Sequence, residues 1–81
     1  MGILSEKIDG TIINVVVKSS NIKTAMYDTE NKILTITFNT GMVYEYYDVP
    51  WEIFTKFRSS QSQGKYFNTE IRTKYKFKKV S

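Results

Sequence analysis

The sequence predicts a small α+β domain, with an antiparallel sheet of three to four strands followed by two helices packed on one face. Three observations carry this. Residues 11–47 hold β-branched runs and apolar–polar alternation. Val49-Pro50 then interrupts the strand pattern. Beyond it, apolar residues recur at helical spacing. Strands first and helices after is the order of an α+β domain.

The elements follow in turn. Thr11 to Val17 is β-branched without helical period and reads as a strand. Ser19-Ser20-Asn21 is a turn cluster. Ile22 to Tyr27 alternates, with Ile22, Thr24 and Met26 opposite Lys23, Ala25 and Tyr27. Asp28 to Lys32 is polar and turn-like. Ile33 to Phe38 puts Leu34, Ile36 and Phe38 on one side, and Met42 to Tyr47 is the next strand. Between these two, Asn39-Thr40-Gly41 fits a three-residue hairpin loop with glycine in the left-handed position. That loop sets Phe38 opposite Met42, Ile36 opposite Tyr44 and Leu34 opposite Tyr46. A two-residue loop would throw both tyrosines to the other face. Pro50 to Arg58 has a helical pattern, with proline suited to the first turn and Ile53, Phe54 and Phe57 as its apolar stripe. Ser62 is an N-cap for a second short helix, and Phe67, Ile71 and Tyr75 give that helix one apolar face. Lys76 to Val80 reads either as an edge strand or as a frayed tail.

At 81 residues the chain is one domain, spanning 1–81, with residues 1–16 as a leader. A chain of this size buries only roughly 60–65% of the surface its unfolded form exposes, so its core alone is marginal. It has no cysteine and no histidine. Disulfides, thiolate metal sites, cysteine nucleophiles and the usual general base are thereby excluded. No cofactor, metal site or catalytic residue is expected, and the protein is read as a binder and not an enzyme. Asp28 with Glu30 sits in a turn, and Asp48 with Glu52 flanks a helix start where acids are stabilising anyway. Met1 to Glu6 lacks a basic, apolar signal pattern, Glu6 breaks the myristoylation spacing, and no run is long enough to span a membrane. A cytoplasmic protein without a membrane partner is expected.

Charge is unevenly placed. The total is +4, but residues 56–81 carry eight Lys or Arg against Glu70 alone. Such a basic third is either a footprint for an anionic partner or a solvated, solubilising tail. The segment Ser62-Gln63-Gly64-Lys65-Tyr66-Phe67-Asn68 offers a place for that partner. A serine cap and glycine open a helix whose free N–H groups can receive a phosphate. Lys65 adds a cation, Arg72 two turns on offers a planar fork, and Asn68 can reach a base edge or sugar. The alternative is that Ser62 only caps, Phe67 and Ile71 fill the core, and the charges are solvated. Tyr44 and Tyr46 can stack on bases, but the register favours them as core residues with hydroxyls reaching the rim. Trp51 is read as a core anchor between helix and sheet, with an interface role as the alternative.

Ser20-Asn21-Ile22, Tyr27-Asp28, Leu34, Phe38, Gly41, Tyr44-Glu45-Tyr46, Val49-Pro50, the segment from Ser62 to Asn68, Ile71-Arg72 and Tyr75 together resemble the KTSC domain, a small domain also found at the C-terminus of some lysyl-tRNA synthetases. The resemblance runs from about Val17 to Tyr75, leaving the leader strand outside it. It implies a domain with a central Tyr-x-Tyr, proposed to bind RNA. Free-standing phage proteins similar to it act as sponges that sequester the cyclic oligonucleotide signals of CBASS-type bacterial immunity. This copy, with no attached synthetase, looks more like the second kind. The implied ligand is a cyclic di- or trinucleotide, held by Lys65, Arg72, Asn68, Tyr66, Ser62, Gly64, Tyr46 and Tyr44. The implied setting is a viral homo-oligomer, a tetramer being one arrangement, in the host cytoplasm. RNA binding through the basic C-terminal third is the alternative.

A marginal core without disulfides, together with exposed sheet edges, predicts self-association. Light scattering at micromolar concentration should give a mass above the 9.5 kDa of one chain. A monomer mass at every concentration would remove this expectation.

Overall fold

The computed structural model describes residues 2–81, with side chains from Ser5 onward. Met1 and the side chains of residues 2–4, on which the reading of the leader partly rests, lie outside the described residues. Six strands run as a continuous antiparallel meander: β1 (Gly2–Asp9), β2 (Ile12–Lys18), β3 (Ile22–Asp28), β4 (Ile33–Phe38), β5 (Val43–Tyr46) and β6 (Phe77–Lys79). Helices α1 (Trp51–Ser59) and α2 (Gln63–Tyr66) lie between β5 and β6 in sequence, and α2 continues into a π-helical segment at Phe67–Ile71. The fold is the expected α+β, with six strands where three to four were expected. The additions are β1, for which no strand was expected, and β6, the edge-strand alternative for Lys76 to Val80. β1 is hairpinned to β2 through Gly10-Thr11, with Gly10 at φ 64° as a tight two-residue turn requires.

The register between β4 and β5 is the one the three-residue loop demands. Leu34 faces Tyr46 and Ile36 faces Tyr44. Gly41 takes φ 95°, and the Phe38 N–H donates to the Met42 carbonyl at 2.9 Å. The polar turn after β3 is organised by Asp28, whose carboxylate accepts the N–H groups of Glu30 and Asn31 at 3.0 Å and the Asn31 side-chain amide at 2.9 Å. These bonds hold the Asp28 carboxyl below its usual range, the Asn31 side-chain bond being the largest cause.

β3 departs from simple alternation. The register shifts between Ile22 and Thr24, so one residue is left over and the faces exchange. Ile22 is buried, and after the bulge Ala25 and Tyr27 are buried while Met26 is exposed. Ile22, Thr24 and Met26 therefore do not share a face as strict alternation expected.

The helices cover one face of the sheet. Ile13, Val15 and Val17 of β2, Ala25 and Tyr27 of β3, and Leu34 and Ile36 of β4 pack with Phe54 and Phe57 of α1 and with Phe67 and Ile71 of the π segment. Tyr27 joins sheet to helix. Its ring stacks on Phe54 with centroids 4.5 Å apart, and its hydroxyl donates to the Val49 carbonyl at 2.6 Å. Burial pushes this hydroxyl's pKa up, and Glu52 and Asp28 add to the effect. Trp51 is not the buried anchor the sequence suggested. It is 44% exposed, lying beside Tyr27 and Phe54 with the Arg58 guanidinium 5.3 Å from its ring centroid. As the first residue of α1 it sits at the helix end, where the sheet no longer covers both of its faces.

Two contacts fix α2. Gln63 is fully buried, and its amide nitrogen donates to the carbonyls of Ser60 at 2.8 Å, Arg58 at 3.4 Å and Phe57 at 3.5 Å, closing the end of α1. Its Oε1 is buried without a partner among the described residues. Gly64 rests on the β2–β3 turn. A Cβ there would stand 2.6 Å from Asn21 Oδ1 and 3.0 Å from Ser19 Oγ. The sequence pattern also carried one helix face through Tyr75, whereas the π segment ends at Ile71 and Tyr75 lies in the bend that follows.

Two outcomes follow. Tyr27→Phe leaves the buried Val49 carbonyl unsatisfied and should cost about 1–3 kcal/mol in chemical denaturation. Gly64→Ala should lower the thermal midpoint, because overpacking typically costs about 1–3 kcal/mol against a helix-propensity gain of about 1 kcal/mol. Combining it with Asn21→Ala should lose less than the sum of the two single changes. Additive losses would refute the close approach as the cause.

Candidate functional site

A groove of about 400 Å³ opens between the π segment and the β4–β5–β6 corner of the sheet. The hairpin register brings Tyr44 and Tyr46 to it from β5, with Phe38 from β4. β6 adds Phe77, which pairs with Tyr46 across the ladder. The Phe77 ring lies 5.6 Å from that of Tyr46 and 5.7 Å from that of Tyr44. Phe67, edge-on to Tyr46 at 5.2 Å and to Phe38 at 5.5 Å, closes the inner wall. Asn68, Arg72 and Thr73 descend from the helical side, and Asn21 and Met42 complete the lining.

The π geometry decides which side chains reach this groove. The Arg72 N–H donates to the Phe67 carbonyl, five residues back, at 2.9 Å. Each residue of an α-helix turns about 100°, so a widened turn shifts everything beyond it relative to residues before it. Lys65 and Arg72, seven apart, therefore do not share a face as an unbroken helix would give. Arg72 and Asn68 line the groove. Lys65 lies with Ser62 and Tyr66 in a separate hollow of about 390 Å³, together with Ser60, Gln61 and Thr69. Ser62 caps α2 as expected, its Oγ accepting the Lys65 N–H at 3.3 Å. Tyr66 is half-buried, and burial pushes its pKa up, with Glu70 and Tyr75 adding to it. Gly64 belongs to neither hollow, being buried against Ser19 and Asn21. Thus four of the eight sequence-derived residues meet in the groove: Tyr44, Tyr46, Asn68 and Arg72.

The groove's polar groups are unusual. The Tyr46 ring is buried, while its hydroxyl, which bonds to no other described residue, stays open to solvent at the groove. The neighbouring tyrosines are satisfied differently. Tyr27 donates to Val49, and Tyr47 donates to Glu45 Oε1 at 2.8 Å. Burial pushes the Tyr46 hydroxyl's pKa up, Arg72 opposes that shift, and Tyr44 adds to it. The group is therefore a protonated donor at neutral pH. The ion pairs among the described residues are Arg58–Glu6 and Lys74–Glu70, so Arg72 brings an uncompensated guanidinium. No carboxylate lines the groove. Phenol, guanidinium and two amide side chains converge on a space walled by aromatic rings, a composition that receives an anion joined to a flat, apolar group.

Sequence reasoning missed Phe77, Met42, Thr73 and Asn21 as lining residues. Phe77 carried a signal: it alternates with Lys76 and Lys78, and a strand in that register sets it against Tyr46. Among the described residues, no helix is long and apolar enough to cross a membrane.

Comparison with known proteins places this geometry in a family. A segment 38% identical over 64 residues occurs in the lysine–tRNA ligase of Nostoc punctiforme, covering 79% of this chain and 11% of that protein. The chain thus spans about a ninth of the ligase it matches. A protein of Tsukamurella paurometabola is 35% identical over 60 residues, which cover 74% of this chain and 90% of that protein. The crystal structure of a KTSC domain protein from Yersinia pestis superposes with a TM-score of 0.82 at 31% identity, covering 86% of this chain and 99% of that one. The KTSC domain profile matches residues 18–75, from the end of β2 through the groove to Tyr75, and the chain belongs to the KTSC domain family.

Proposed function

We propose that the groove binds a nucleotide and that the protein works by capture, sequestering cyclic oligonucleotides without converting them. The observation that carries this reading is that the Tyr46 hydroxyl and the Arg72 guanidinium line one aromatic groove, neither bonded to another described residue. A hydroxyl at the groove wall can donate to a ligand oxygen. Arg72 suits a phosphate, which a guanidinium holds through paired hydrogen bonds. The exposed Phe77 ring and the half-buried Tyr44 ring suit a base, since stacking on an aromatic side chain is worth about 1–3 kcal/mol. Capture fits better than turnover, because the groove is lined by donors and rings and contains no carboxylate to act as a base. By the resemblance to phage sponges, such capture serves viral evasion of CBASS-type immunity.

RNA binding is the second reading. It is favoured by the lysine–tRNA ligase relatives and by the exposed cations Lys74, Lys76, Lys78 and Lys79 that follow Arg72. The two differ in salt response. A polyanion bound along several cations is released steeply by salt, a small ligand in one groove much less so.

Titration calorimetry with cyclic dinucleotides and short RNAs tests both readings. Arg72→Ala should weaken capture by about 1.5–3 kcal/mol, roughly ten- to a hundredfold, while Lys65→Ala leaves it within about twofold. Equal losses from both changes would return the site to the start of α2. Tyr46→Phe should leave the unfolding midpoint nearly unchanged, because the hydroxyl bonds to no other described residue, yet reduce affinity. Tyr46→Ala should cost about 3–5 kcal/mol of stability, as large aromatic truncations do. A well-folded Tyr46→Ala protein would show that the ring is not part of the core.

A further inference from the structure

The sheet has a second face, which the helices do not cover. Alternation along each strand turns every other residue away from the core, and the ladder registers align these residues in rows. One row runs Lys7, Asn14, Met26, Thr35, Glu45, Lys78 from β1 to β6. The row beside it runs Ser5, Val16, Thr24, Thr37, Val43. On the far side of the first row, Ile12 and Ile33 flank Asp28. Val16 and Met26 are each 39% exposed, and the threonines of these rows are half-buried. The middle of the face is therefore aliphatic and threonine-rich. Large apolar side chains grouped on an open surface mark a place that something covers, and a second sheet covers such a face by packing about 10 Å above it.

Charge complementarity identifies that second sheet as another copy of this chain. Lys7 and Glu45 stand in one row, each two strands from β3. Neither makes an ion pair among the described residues, and Lys78, opposite Glu45 on β6, does not pair with it. Glu45 accepts the Tyr47 hydroxyl on Oε1, so its other oxygen is free. A two-fold axis laid along β3 sets β1 of one copy over β5 of the other, and β2 over β4. Lys7 then meets Glu45 twice, Ile12 meets Ile33 twice, and Met26 meets its own copy on the axis. Asp28 also faces its copy, but its carboxylate is bonded into its own turn. An axis between β3 and β4 would instead set Lys7 over Lys78, and an axis across the strands would set Lys7 over Lys7. Of these three arrangements, the β3 axis alone brings opposite charges together.

We propose that the open face of the sheet is an interface between two copies of the chain, packed sheet to sheet about a two-fold axis along β3, with Lys7 of each copy paired to Glu45 of the other. The contact is isologous, the commonest arrangement of like subunits. The helices lie on the outside of both copies. The contact leaves β6 and the groove uncovered, because β6 lies beyond the overlap and the groove opens on the helix side. The interface therefore stands or falls independently of nucleotide capture.

Light scattering and sedimentation of the full chain, without ligand, test this. Met26→Lys puts two like charges on the axis and should halve the mass of the free protein. Met26 is exposed in the single chain, so the thermal midpoint measured at the lowest concentration should hardly move. Lys7→Glu and Glu45→Lys, each alone, should weaken association by roughly tenfold or more, since like charges are then opposed. Lys7→Glu combined with Glu45→Lys should restore it. A wild-type mass of one chain at every concentration overturns the interface, as does a mass that Met26→Lys leaves unchanged. Failure of the double exchange to restore what the single changes lose overturns the β3 axis and the Lys7–Glu45 pairing.

Discussion

The close approach of Gly64 to the β2–β3 turn governs the rest of the molecule. With no side chain at that position, α2 settles directly onto Asn21 and Ser19. That depth puts Phe67 and Ile71 into the core, where both are buried. It also ties three elements together. The Ser19 hydroxyl donates to Asn21 Oδ1 at 2.9 Å, and Asn21 in turn lines the groove. A Cβ there would stand 2.6 Å from Asn21 Oδ1, so either that side chain or the helix would have to give way. Gln63 does the matching work on the other side, holding the end of α1 through its carbonyls. Two consecutive residues, one with no side chain and one fully buried amide, therefore set the position of the helical layer.

Once α2 is seated, the π segment aims its far end. Phe67 and Ile71 stay on the core side, and the widened turn carries Asn68 and Arg72 over the tyrosines of β5. Such widenings tend to accompany functional sites, and here Arg72 lines the groove with Tyr46 while Lys65 lies in a separate hollow. The same sequence in an unbroken α-helix would present Lys65 and Arg72 together and leave the groove without a charge.

Much of this fold was legible in the residues. Asn39-Thr40-Gly41 fixed the β4–β5 register, because only a three-residue loop gathers Leu34, Ile36, Tyr44 and Tyr46 on one face. Ser62 was legible as a cap and Val49-Pro50 as the break between sheet and helix. Other features had no local signature. The bulge after Ile22 follows from pairing with β4, which no period in Ile22–Tyr27 reports. β1 has no clear strand signature in its mixed composition, although Asp9-Gly10-Thr11 is a hairpin signal. Trp51 was misplaced because burial of a helix's first residue depends on where the sheet ends. The candidate site was half legible. Residue types pointed to Arg72, Asn68 and the tyrosines, but spacing on an ideal helix joined them to Lys65, and only the π turn separates the two groups.

Tyr46 shows how scaffold and site share one side chain. Its ring is core: it faces Leu34 across the ladder and packs edge-on to Phe67. Phenylalanine would fill that space equally well. The hydroxyl bonds to no other described residue and is open to solvent at the groove, so the fold draws on the ring alone. Tyr27, in the next-but-one strand, makes the contrast clear, since its hydroxyl is needed to hold Val49 and the start of α1. One tyrosine is thus satisfied within the fold, while the other shares the groove with Arg72, which has no ion pair among the described residues.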